Sequence, residues 1–221
     1  MAIQLLDPQN ARSFNQGFRA KRFAFFKSLL PLGEGKTIRI LDVGGTESYW
    51  ERMGFTTEQN VHITLLNLET APVRYSNFSS VKGNACNMSE YEDGHFDIVF
   101  SNSVIEHLFT WENQQKMAEE IRRVGKCYYV QTPNYYFPLE PHWFFPFFQF
   151  LPFRLRVWLT QRFNLGHYPK SITREAAIKR VEEVKLLTEA QMKVLFPDGK
   201  VYREKLFGLT KSVTLYSFPT K

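Results

Sequence analysis

Short apolar runs that close on polar residues recur along the first 135 residues. They are "TIRILDVGG" at 37–45, "VHITLLNLE" at 61–69, "VKGNACN" at 81–87, "FDIVFSN" at 96–102 and "CYYVQTPN" at 127–134. Strands that are apolar almost throughout, with helices between them, belong to a parallel sheet covered on both faces. The longest connecting segment, "VIEHLFTWENQQKMAEEIRRVGK", reads as one helix, with Met117, Ile121 and Val124 on a single face. Near the end of the sequence, "VYREKLFGL" and "KSVTLYSF" read as two strands joined through Thr210 in an antiparallel hairpin. "TEAQ" at 188–191 has the pattern of a capping box. Asp7-Pro8 reads as the N-terminus of a first helix that runs to about Leu30 and is closed by Pro31 and Gly33.

A parallel sheet of this kind binds ligands beyond the carboxyl ends of its strands. The polar residues gather there: Asp42-Val43-Gly44-Gly45, Asn67-Leu68-Glu69, Asn84-Ala85 and Ser101-Asn102. Glycines let backbone approach a ligand closely. A carboxylate after the second strand suits the two hydroxyls of a ribose, and a polar side chain with a backbone amide after the third suits an adenine edge. Thr46-Glu47-Ser48 follows the glycines where a dinucleotide site needs another glycine, and Glu47 brings negative charge to the place a pyrophosphate would take. No G-K-[ST] follows either, so a phosphate-binding loop is excluded. An adenosine without phosphate, carrying an ammonium and a sulfonium, fits these residues, and S-adenosylmethionine has that chemistry.

The same residues resemble the class I S-adenosylmethionine-dependent methyltransferases. "ILDVGGTESYW" is similar to their first motif, "LLNLE" to their second-strand motif and "GNACNM" to their Gly-Asp-Ala segment. "FDIVFSNSVIEHL" resembles the fourth-strand signature of the type-11 group. The resemblance covers about residues 37–135. It implies a Rossmann-like, seven-stranded, mostly parallel sheet with helices on both faces, a terminal antiparallel hairpin and an aromatic-rich lid. It also implies S-adenosylmethionine as cofactor, S-adenosylhomocysteine as product, and contacts from Asp42, Gly44, Gly45, Thr46, Asn67, Glu69, Asn84, Ala85 and Ser101. Gly44-Gly45-Thr46 departs from the usual G-x-G-x-G, and either Asn67 or Glu69 takes the ribose. "VQTPNYYFPLEPHWFFPFFQFLP" resembles a segment of bacterial methyltransferases, some of them encoded with polysaccharide-biosynthesis genes.

The implied organisation is one domain: a helical cap at 1–33, a cofactor core at 37–135, a lid or substrate insertion at 136–187 and the hairpin at 188–221. A length of 221 residues and 43% hydrophobic content suit this. The expected acceptor is a small molecule or a sugar, lipid-linked forms included, methylated on oxygen or nitrogen. His142, a loop histidine beside Glu140, is the leading general-base candidate, and His107, which follows Glu106, is the second. Tyr135 and Tyr136, after the fifth strand, are substrate candidates with Glu140. The segment "WFFPFFQFLPF" at 143–153 has three readings: packed core, acceptor-pocket wall, or a wedge for a membrane interface aided by Arg154, Arg156 and Arg162.

A net charge of +6 admits an anionic ligand or membrane surface. Nucleic acid is disfavoured, because neither a base-methylation motif nor a dense basic stripe with aromatics is present. Cys86 and Cys127 have no metal-like spacing, and no metal is expected. "MAIQLLDPQNARSF" has no signal-peptide pattern, so a cytoplasmic protein is expected, with peripheral contact at the inner membrane face as the membrane-binding variant. The rivals are a nicotinamide-dependent oxidoreductase, which the glycine pattern disfavours, and a non-catalytic module on the same fold.

Overall fold

A computed structural model of the chain describes residues 14–32, 35–58 and 60–219. The Asp7-Pro8 helix start lies outside the described residues. In chain order the elements are α1 (Phe14–Leu29), β1 (Ile38–Val43), α2 (Glu47–Arg52), β2 (Val61–Asn67), β3 (Phe78–Lys82), β4 (Phe96–Asn102), a 3-10 turn (Ile105–His107), α3 (Trp111–Val124) and β5 (Gly125–Pro133). The short β6 (Leu139–Glu140) and β7 (Phe145–Pro146) follow, then α4 (Phe153–Arg162), α5 (Arg174–Glu183), α6 (Glu189–Leu195), β8 (Lys200–Leu206) and β9 (Leu209–Tyr216).

The main sheet has seven strands in the order β3-β2-β1-β4-β5-β9-β8. Strands β1 to β5 pair in parallel, while β9 is antiparallel to both β5 and β8. The strand order reverses direction at β1, between β2 and β4, which is where such sheets open a ligand crevice. The seven-stranded α/β fold expected from the apolar runs is the one formed.

Alternation of side chains explains why the strands are apolar throughout. From β1, Leu41 and Val43 join Val99, Met117, Ile121, Met192 and Leu195 on the face covered by α3 and α6. Ile38 and Ile40 point the other way, to Phe23, Phe26, Trp50, Phe100 and Tyr129 under α1 and α2. The aromatics of that second face interlock edge-to-face, with Phe26 against Phe100 at 4.9 Å and against Tyr129 at 5.0 Å, and Phe100 stacks on Tyr129. A third cluster unites Trp143 and Phe148 with Val157, Ala177, Val181 and Val184, and gives the 136–187 segment a small core of its own.

Three local expectations change. The helix read from Val104 onward is interrupted: Phe109 takes φ +62°, and Thr110 then caps α3 by accepting from Asn113 N at 3.2 Å. The chain from Ile105 to His107 is thereby freed to turn its polar side chains inward. The hairpin turns at Phe207-Gly208, both at positive φ, and not at Thr210; Leu206 pairs with Leu209 across the two-residue loop. The third strand spans Phe78–Lys82, and Asn84 to Asn87 form a turn after it. The capping box at Thr188 and Gln191 is formed as expected.

Candidate active site

Strand β1 ends in a loop tied to its neighbour. Gly44 N donates to Leu66 O at 2.8 Å, and Asn67 Nδ2 donates to Gly45 O at 2.9 Å. Gly44 sits at φ +74°, and a Cβ there would lie 2.6 Å from Val104 Cγ2. A Cβ on Gly45 would fall 1.6 Å from Asp42 Oδ2. Gly44 is therefore required by backbone conformation and Gly45 by contact. Asp42 itself is 1% exposed and accepts from the Trp50 indole at 2.7 Å. Burial pushes its carboxyl up to about 7, against the lowering effect of the Trp50 bond. Ser101 is fully enclosed and bonds Val43 O. Asp42 and Ser101 thus lie one layer beneath the loop, while Gly44, Gly45 and Thr46 form it.

The charges around this loop are paired off. Glu47 accepts from the backbone of Arg74 and Tyr75 and from Arg74 Nε at 3.1 Å, and Arg74 also reaches Glu51 at 2.7 Å. Lys82 meets Glu69 at 3.0 Å, yet the Glu69 side chain stays 82% exposed. Asn84 Oδ1 accepts from Cys86 N within its own turn. Arg74 and Lys82, beside the loop, are thus each held by a carboxylate.

Beyond β4, Ser103 adopts φ +58°, a left-handed conformation that an L-residue holds only where its surroundings enforce it. Its Oγ bonds Gln131 Oε1 at 3.0 Å. Ser103 lines a cleft of about 240 Å³ with Phe18 and Arg22 of α1, Asn134, His142 and Lys211. Val104, whose side chain lies against Gly44, is the next residue in the chain, so Ser103 links the cleft to the glycine loop through one neighbour. One wall is fixed by a buried ion pair: Arg22 Nη1 donates to Glu204 Oε2 at 3.1 Å, and Ser212 Oγ donates to the same oxygen at 2.7 Å.

His142 joins the cleft to an enclosed polar cluster. Its Nδ1 faces Glu140 Oε1 at 2.6 Å, and Glu140 Oε2 accepts from His142 N and Trp143 N. His142 Nε2 lies 3.2 Å from His107 Nε2, with the two rings perpendicular. Glu106 is fully buried and accepts from Thr132 Oγ1 at 3.0 Å. Burial pushes Glu106 up to about 7, and burial with the neighbouring His142 pushes His107 down to about 4. Burial alone would lower His142, but the Glu140 bond and the surrounding carboxylates outweigh it and raise it.

Both histidines chosen from sequence therefore meet, with Glu140. Tyr135 lies elsewhere, in a larger cavity of about 520 Å³ behind Glu140, with Trp111, Gln149 and Arg156. Tyr136 is 66% exposed. The larger cavity is set back from the strand ends; the smaller cleft adjoins the glycine loop and is the better acceptor site.

Comparison with known proteins bears on this geometry. A family model described as a methyltransferase domain matches residues 41–127, the stretch from β1 into β5. Residues 41–127 are thus similar to a methyltransferase domain. The residues present suit S-adenosylmethionine: two glycines, an exposed carboxylate after β2, and Arg74 and Lys82 each paired with a carboxylate. Two uncharacterized proteins of Mycobacterium tuberculosis are 38% identical over 53 residues, which is 24% of this chain and 18% of each of theirs. The chain thus spans less than a fifth of the length of those curated relatives.

Solved structures share the methyltransferase fold at low identity. A SAM-dependent methyltransferase from Aquifex aeolicus aligns with a TM-score of 0.52 at 13% identity, over 92% of both chains. The CurJ carbon methyltransferase aligns at 0.59 and 12%, over 97% of this chain and 56% of that one. Phosphoethanolamine N-methyltransferase 2 of Haemonchus contortus, in complex with S-adenosyl-L-methionine, aligns at 0.54 and 16%, over 87% and 39%. The lid around His142 falls outside the residues that the family model matches. Glu106 and Ser103 were missed as site residues in the sequence. The one available signal was a Glu-His pair just after a strand, and it was absorbed into a helix.

Proposed function

We propose that the protein transfers the methyl group of S-adenosylmethionine to a small molecule or a sugar, on oxygen or nitrogen, in the cleft beside the glycine loop. The observation that carries this reading is the contiguity of that loop, through Val104 and Ser103, with a cleft walled by His142. Bound S-adenosylmethionine would supply an electrophilic methyl carbon on a sulfonium. The chain's own part is to hold the donor at Gly44, Gly45 and Thr46, with Glu69 or Asn67 at the ribose and Asn84 and Ala85 at the adenine. Asp42 and Ser101 support that loop from beneath. The cleft aligns the acceptor, and positioning of this kind supplies much of the rate of a displacement.

His142, held by Glu140, and His107 face the acceptor's nucleophilic atom and promote loss of its proton. The 136–187 segment serves as the acceptor's lid. Tyr135 and Tyr136 are reserved for an acceptor long enough to extend past Glu140. Titration calorimetry tests the cofactor: S-adenosylhomocysteine is expected to bind in the micromolar range, roughly −8 kcal/mol, and NAD is expected to give no heat. Heat from NAD and none from S-adenosylhomocysteine would turn the reading over to an oxidoreductase. A mass-shift screen of sugars, lipid-linked sugars and amines then identifies the acceptor, and His142→Ala is expected to abolish its turnover.

A further inference from the structure

We propose that Glu106, His107 and His142 form a binding site for one divalent transition-metal cation of the zinc class, with Glu140 as the outer partner of His142. Three observations carry it. The first is convergence: one ligand atom from each of the three residues lies within 4.8 Å of the other two. They come from the 3-10 turn after β4 and from the loop after β6.

The second is spacing. Two imidazole nitrogens bound to one tetrahedral zinc at roughly 2.0–2.1 Å stand about 3.3 Å apart. His107 Nε2 and His142 Nε2 are 3.2 Å apart on perpendicular rings. The pair already spans one edge of such a tetrahedron.

The third is the state of the surrounding oxygens. Glu106 Oε1 is enclosed and has no hydrogen-bond partner among the described residues, while its other oxygen is held by Thr132. A buried carboxylate oxygen without a donor calls for an explanation, and a cation supplies one. On the far side of His142, the Glu140 carboxylate suits a proton on Nδ1, which makes Nε2, the nitrogen facing His107, the one a cation would take. This is the carboxylate–histidine–metal arrangement that orients and strengthens an imidazole ligand. Two histidines and a glutamate with a fourth position open make up a donor set used by catalytic zinc.

The site stands on this geometry alone; only its use rests on the methyl-transfer reading. His142 also lines the acceptor cleft, so a cation here lies at the cleft's edge. An acceptor oxygen in the fourth position would lose its proton more readily through coordination. The sequence argued against a metal because its cysteines lack ligand spacing, but the site uses none.

Titration of chelator-stripped protein tests the proposal, with Co(II) followed by visible absorption and Zn(II) by calorimetry and by displacement of Co(II). One cation per chain is expected, with the d–d absorption of a low-coordinate site. His107→Ala and His142→Ala are each expected to weaken binding by more than tenfold. Glu140→Gln, which keeps both rings, should weaken it by roughly 10–100-fold. Absence of saturable binding, or binding undiminished in both histidine variants, overturns the site. Imidazole NMR signals of the unmodified protein give a readout that needs no variant: Zn(II) should move those of His107 and His142. Movement of His62 or His95 alone would overturn the assignment. S-adenosylhomocysteine calorimetry on the same sample keeps the two readings apart. Its heat without cation binding removes the metal site, and cation binding without its heat removes the methyltransferase reading.

Discussion

Asn67 and Glu69 are two residues apart but do different work. Asn67 Nδ2 holds Gly45 O, whereas Glu69 stands in solvent with only the exposed Lys82 as partner. Glu69→Ala is therefore expected to leave the melting temperature almost unchanged, since an exposed ion pair contributes about 0–1 kcal/mol. It should cost S-adenosylhomocysteine affinity about 1.5–3 kcal/mol, as for hydrogen bonds to a charged group. Asn67→Ala should lose less affinity but more stability, about 0.5–1.5 kcal/mol. Calorimetry beside thermal melts decides, and the reverse pattern would give the ribose to Asn67. Asp42 supplies a pH dependence. Its carboxyl rises from 3.8 to about 7, chiefly through burial, so between those values the folded state keeps a proton that the unfolded state has released. Stability contributed by this group is full at acid pH and falls as pH rises toward 7. Asp42→Asn should make the denaturation midpoint less sensitive to pH over that window, and an unchanged slope would mean that the buried carboxyl titrates normally.

At the scale of elements, the aromatic segment 143–153 divides where its sequence looked uniform. Trp143 and Phe148 are buried and stacked at 4.4 Å, with the Trp143 indole on Thr160, whereas Phe147 is 55% and Phe150 44% exposed. Phe148→Ala is expected to cost about 3–5 kcal/mol of stability, as for a buried phenylalanine. Phe147→Ala should leave stability nearly intact. If Phe147 covers the acceptor, the Michaelis constant rises with cofactor affinity unchanged; if it faces a membrane, binding to anionic liposomes falls, and salt weakens it in the unmodified protein. No helix among the described residues is long and apolar enough to cross a membrane. The glycine loop was legible in sequence because its requirements are local: a strand end, two glycines and a carboxylate within three positions. The polar cluster was not, since it depends on Phe109 adopting a conformation that phenylalanine rarely takes. His107 and His142 are 35 positions apart, and no periodicity records that they touch. Within the aromatic segment Phe144 and Phe147 take positive φ, a conformation that its composition does not announce.

Across the whole molecule, the cleft beside Ser103 is closed by pieces from both ends of the described chain. Arg22 on α1 and Glu204 on β8 form a pair with side chains only 8% and 4% exposed. Phe25 also stacks on Tyr202 at 4.2 Å, and Tyr129 Oη donates to Arg22 O. Removing one member strands the other's charge, so Glu204→Ala should destabilise by about 3–5 kcal/mol. Glu204→Gln, which retains a hydrogen-bonding oxygen, should lose less. Both should raise the acceptor's Michaelis constant while S-adenosylhomocysteine affinity holds; loss of cofactor affinity instead would mean that the cleft and the glycine loop are not separable. The place of β9 between β5 and β8 also matters during translation. The ribosome delivers β1 to β5, with the whole donor site, long before Leu209 to Tyr216 emerge. Until then β5 is a bare edge, of the kind that recruits other strands. A nascent chain must therefore guard an open flank until the last described strand slots in between β5 and β8.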